Sequence, residues 1–137
     1  MTDMFDAMTI SAYGMRAQGE RTRVISENIA NASTGRLTPE SEPYSRKVIT
    51  FKNELDRERG HKLVHVEDIA DDRRGEFPLK YMPDHPGADA NGYVAMPNVS
   101  TLIELNDMRE AQRSYEANLG MVENSRTMMT RTIDLLR

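Results

Sequence analysis

NVSTLIELNDMREAQRSYEANLGMVENSRTMMTRTIDLLR, residues 98–137, is the longest regular stretch of the chain, with no proline and a single glycine, Gly120. Leu105, Met108, Gln112, Tyr115, Leu119, Val122, Arg126, Met129, Ile133 and Leu136 recur at alternating steps of three and four. That 3.5-residue spacing keeps one face of a helix against a partner helix over successive turns. Two start signals follow Pro97: Asn98 as an N-cap, or Thr101 with Glu104 as a T-x-x-E capping box. At 1.5 Å per residue such a helix spans roughly 55–60 Å, several times an ordinary globular helix.

A second helical pattern lies at the other end of the chain. Residues 3–30 hold no proline, and Met4, Met8, Met15, Ile25 and Ile29 return at helical spacing. The heptad line through these positions also takes in Ser11, Gln18 and Thr22, so the stripe is broken by polar groups. Gly14 and Gly19 each cost about 1 kcal/mol of helix propensity relative to Ala. This helix needs packing partners to hold it. Asn28-Ile29-Ala30-Asn31-Ala32-Ser33-Thr34-Gly35 reads as its stop, with Asn31 or Gly35 able to take a left-handed conformation.

All six prolines fall between these patterns, where the helical period ceases. Residues 47–51 and 62–66 are β-prone, and 77–82 and 93–96 suit two shorter strands. Arg57 to Gly60 is a charged turn, and Asn91-Gly92 is the pair that favours positive φ in a tight turn. The expected fold class is therefore mainly α. Two long terminal helices form a coiled-coil-like bundle around a small β-rich or loop-rich middle, divided as 1–32, 33–97 and 98–137.

Composition excludes more than it assigns. The 137 residues carry a net charge of −4 with both signs interspersed, which is wrong for a nucleic-acid binder needing a basic stripe. Without cysteine there is no disulfide, thiolate metal site or Cys nucleophile. No run of ~18 apolar residues exists to span a membrane, and Asp3 and Asp6 leave the N-terminus without a secretory leader. Hydrophobic residues make up 38% with no Trp, thin for a self-sufficient core, so a partner surface is expected to complete it.

Chemistry-bearing constellations are equally sparse. His61 and His65 have a helical metal-ligand spacing, but on a strand they stand ~13 Å apart along one face. Asp68, Asp71 and Asp72 lack the glycine and terminal Glu of a calcium loop. No phosphate loop, dinucleotide fingerprint or nucleophile elbow occurs. The reading is a non-enzyme with no cofactor, no metal and no small-molecule substrate.

Asn28-Ile29-Ala30-Asn31, Tyr44-Ser45-Arg46-Lys47, the long block from Pro83 to Val99, and Arg113-Ser114-Tyr115-Glu116-Ala117-Asn118 together resemble the flagellar basal-body rod and hook family, above all its short proximal-rod members. Ser41-Glu42 departs from the pattern, since glycines are common there. The resemblance implies a structural subunit of the proximal rod, exported without a cleaved signal peptide by the flagellar type III apparatus and assembled with copies of itself and other rod proteins across the periplasm. It marks Asn28, Ala30, Asn31, Tyr44, Arg46, Pro86, Asn91, Gly92, Tyr93, Pro97 and Asn98 as motif residues. The apolar stripes supply the candidate helix-packing and subunit-assembly residues Met8, Met15, Ile25, Ile29, Leu105, Met108, Tyr115, Leu119, Val122, Met129, Ile133 and Leu136. The competing expectation from the stripes alone is a cytoplasmic coiled-coil adaptor or regulatory protein.

Overall fold

The computed structural model describes residues 2–57 and 60–135. Its elements run α1 (Thr2–Asn31), β1 (Lys47–Asp56), β2 (His61–Asp71), β3 (Leu79–Tyr81), β4 (Tyr93–Ala95) and α2 (Thr101–Leu135). The two helical patterns are thus two long helices, and the middle is two small two-stranded sheets, β1-β2 and β3-β4. Leu136 and two residues of the 57–60 turn lie outside the described residues. Among the described residues, no helix is long and apolar enough to cross a membrane.

The helix ends differ in detail from the sequence signals. No described non-glycine residue has positive φ, and Gly35 does not either. α1 stops instead through Asn31, whose Nδ2 donates to the Glu27 carbonyl at 2.9 Å, and through a Thr34 N–H to Asn31 carbonyl bond of 3.0 Å. A side chain that bonds back to its own last turn removes the need for a left-handed cap. At α2 the first helical bond runs from Glu104 N–H to the Ser100 carbonyl, 3.0 Å. Neither Asn98 nor Glu104 caps: both side chains are engaged in the interior.

Strands β1 and β2 extend well beyond the β-prone runs because each is continued by polar residues that the hairpin pairing carries along. β3 and β4 pair antiparallel with Tyr81 opposite Tyr93 and Leu79 opposite Ala95. Gly92, at φ 83°, lets the chain turn into β4.

The chain divides into two compact units. One holds residues 1–22, 49–68 and 109–137. Among the described residues its buried ones are small or polar, Ser11, Ala17, Ala111 and Ser125, with Leu63 of β2 the largest apolar one. The other holds residues 23–48 and 69–108. It buries Val24, Ile25 and Val94 together with two polar side chains, Asn28 and Glu104.

Candidate assembly surface

The second unit is organised around Glu104, whose side chain is 0% exposed. A buried carboxylate persists only if both oxygens are matched. Its Oε1 accepts from Arg46 Nε at 2.5 Å, and its Oε2 accepts from Asn28 Nδ2 at 3.1 Å. Asn28 satisfies every hydrogen-bonding site it has. Its Nδ2 also donates to the Lys47 carbonyl at 2.9 Å, while its Oδ1 accepts from Lys47 N–H at 2.9 Å and from the Tyr44 hydroxyl at 2.8 Å. The amide therefore meets Lys47 as a neighbouring strand would, pinning the start of β1 to the end of α1.

Arg46 and Asn98 complete the cluster. Arg46 N–H donates to Asn98 Oδ1 at 2.7 Å, its carbonyl accepts from Asp72 N–H at 2.7 Å, and Asn98 Nδ2 donates to the Asp72 carbonyl at 2.8 Å. The guanidinium also lies 3.6 Å from Asp107 and 3.9 Å from Asp72, and Lys47 pairs with Glu27. Burial, reinforced by the Glu27, Asp71 and Glu104 charges, pushes the Tyr44 phenol up to about 12. It therefore stays protonated and donating to Asn28 across the neutral range.

The block 83–99 wraps Arg36. Arg36 Nε donates to the Gly87 carbonyl at 2.8 Å, its guanidinium donates to the Tyr93 carbonyl at 3.2 Å, and its backbone N–H donates to the Ala95 carbonyl at 3.2 Å. A Cβ on Gly87 would stand 2.0 Å from the Arg36 carbonyl oxygen, so only glycine allows this approach. Asp89 Oδ1 accepts from the N–H groups of Asn91 and Tyr93, each at 2.9 Å. The Tyr93 bond does most to hold its carboxyl below the usual range; desolvation opposes it, and the Asn91 bond, the Arg36 charge and Gly92 add to the lowering. Ser41 closes its turn by accepting from Thr38 N–H, 3.1 Å, and donating to the Thr38 carbonyl, 2.9 Å.

Of the motif residues, Asn28, Tyr44, Arg46 and Asn98 are thus brought into one cluster. Gly92 and Tyr93 shape the turn around Arg36, Pro97 is buried just before α2, and Ala30, Pro86 and Asn91 are exposed. Sequence reasoning missed the hub. Glu104 was read as a capping residue, yet a lone carboxylate inside Leu102-Ile103-Glu104-Leu105 is a signal that something buries it or that the apolar residues face out.

Both hold, and the helix faces show it. On α1 the stripe and the buried face overlap only in part: Ile25 is buried and Met8, Met15 and Ile29 are half-buried, while the buried Ala17, Val24 and Asn28 lie one position before the stripe. On α2 they part. The buried line is Glu104, Ala111, Ser125 with half-buried Asn118, flanked by half-buried Met108, Val122 and Met129. The line read from the sequence one position later faces out: Leu105 is 44% exposed, Leu119 40% and Ile133 59%, with Tyr115 also exposed. The reason is steric. In the first unit Gly14 of α1 meets the Asn118 side chain so closely that a Cβ there would lie 2.8 Å from Nδ2. Small residues permit that approach and large ones do not. Met121, Met128 and Leu135, seven apart, form a second exposed apolar line on the opposite flank of α2.

The histidines are each engaged separately. His61 Nε2 is 3.1 Å from Asp6, His65 packs edge-on against Tyr13 at 5.0 Å, and His85 Nδ1 accepts from Gly87 N–H at 3.0 Å. Among the described residues no group of three or more potential ligands is placed to hold a metal.

Comparison with known sequences gives this arrangement a family. The flagellar basal-body rod protein FlgC of Agrobacterium fabrum is 47% identical over 137 residues, covering 100% of this chain and 98% of the relative. The chain belongs to the FlgC family of flagellar basal-body rod proteins. FlgC of Aquifex aeolicus is 36% identical and FlgC of Salmonella typhimurium 34%, each covering 98% of this chain. The model for the C-terminal part of the flagellar basal body rod FlgEFG proteins matches residues 90–135, which begins in the turn around Arg36 and runs the length of α2. In FlgC terms, then, the Glu104 cluster joins the end of the first helix to the start of the segment that the wider rod family shares.

Proposed function

We propose that the chain is a structural subunit of the proximal rod of the bacterial flagellar basal body, polymerising with copies of itself and with other rod proteins through its terminal segments, 1–32 and 98–137. Support comes from relatives named as basal-body rod proteins that match it end to end. The observation that carries the mode of assembly is the outward apolar line Leu105, Leu119 and Ile133, which the fold leaves for other chains to cover. Fully burying one such side chain is worth about 1.5–3 kcal/mol, so a few per contact hold a filament whose subunits are individually modest in stability. Rods of this kind grow through head-to-tail contacts that never close. Delivery by the flagellar type III apparatus, without a cleaved leader, and a place in the rod crossing the periplasm follow from the family resemblance. Nothing in this role requires catalysis or a cofactor.

The test is Leu119→Asp or Ile133→Asp expressed in a strain lacking the native protein. Because both positions are exposed, the variants should fold within about 0.5 kcal/mol of the parent yet form no hook-basal bodies by electron microscopy. Glu123→Gln, off the stripe, should swim normally. Normal rods from both aspartate variants would refute assembly through this face.

A further inference from the structure

The start of α2 is inside out. Glu104, the one charged residue of Leu102-Ile103-Glu104-Leu105, is completely buried, while its three apolar neighbours are exposed. Left to apolar burial alone, the helix would turn so that Leu105 and Met108 faced inward, the register that the heptad spacing itself favours. That turn amounts to about half of the 100° between successive helical residues. What opposes it is specific. The Glu104 carboxylate is held at one oxygen by Arg46 and at the other by Asn28, and Asn28 is in turn fixed by both backbone groups of Lys47. Turning the helix would break a charge-assisted bond and strand a partly buried guanidinium.

We propose that Arg46 and Asn28 are positioning residues that act through Glu104 as a rotational lock on the first turns of α2, holding Leu105 out of the fold. The use of the displayed side chains as subunit contacts rests on the rod-subunit reading. The rotation itself does not, so the experiment reads it in the unassembled protein.

The chain contains no cysteine, so single reporters can be placed without background. Leu105→Cys and Ile103→Cys lie on opposite flanks of Glu104, and a turn of α2 toward the heptad register hides the first and bares the second. Maleimide labelling rates are measured for each, alone and with Arg46→Met plus Glu104→Leu. Unlocking should slow labelling at 105 at least fivefold and speed it at 103. Unchanged rates, or rates that rise together as in simple loosening, would overturn the lock. If the double replacement does not fold, Arg46→Gln, which leaves Glu104 and every apolar residue in place, should slow labelling at 105 at least twofold. A rate there equal to the parent's would count equally against the proposal. Failure of the rod reading would instead appear as the parent chain not restoring rods to the deletion strain.

Discussion

The two units are held together by different means. In the first, α1 meets α2 closely at Gly14 and Asn118, and the buried residues Ser11, Ala17, Ala111 and Ser125 are small, so closeness of approach does the work. In the second, a saturated polar cluster around Glu104 and a glycine-dependent wrap around Arg36 fix the chain at a few points. Packing of small groups tolerates adjustment, because neighbouring side chains can shift by tenths of an ångström. A buried charge does not, because its partners sit at one geometry or are lost. The second unit should therefore be brittle and the first forgiving.

The largest effect should come from Glu104→Ala, which leaves Arg46 and Asn28 facing a void. Urea denaturation should show a loss of about 3–5 kcal/mol. A loss below about 1 kcal/mol would mean that the cluster is dispensable and the contrast between units wrong. Gly87→Ala comes next. Its Cβ would meet a backbone oxygen rather than a movable side chain, so the wrap must shift, at about 1–3 kcal/mol. The smallest effect should be at Gly14→Ala. The new methyl presses on the terminal atoms of Asn118, but replacing glycine inside a helix returns about 1 kcal/mol of propensity. Stability by the same measurement should stay within about 1 kcal/mol of the parent. A Gly14→Ala loss as large as that of Gly87→Ala would show the first unit to be no more tolerant than the second.

Much of the architecture was legible from spacing and punctuation. The proline-free ends gave two long helices, and the proline-bearing middle gave strands close to the β-prone runs, because helix period and turn residues are local properties of the chain. How α1 and α2 are capped was misjudged for two reasons. At α1 the reason is local, since Asn31 bonds back to Glu27 in its own last turn. At α2 it is not, since Asn98 and Glu104 are recruited by Arg46, Asp72 and Asn28, partners far away in sequence. The motif residues could be singled out one by one from the family resemblance. That four of them share one cluster could not.

By itself the sequence determined that α1 is a helix with a broken apolar stripe, although Ala17, Val24 and Asn28, one position before that stripe, are buried too. It also determined that α2 carries an apolar stripe. Which side of that stripe turns inward was decided only in three dimensions. The 3.5-residue apolar repeat points to the line of Leu105, yet the line of Glu104 turned inward, because the choice fell to contacts that spacing does not encode: the room that Gly14 leaves for Asn118, and the fixed positions of Arg46 and Asn28 beside the Glu104 carboxylate.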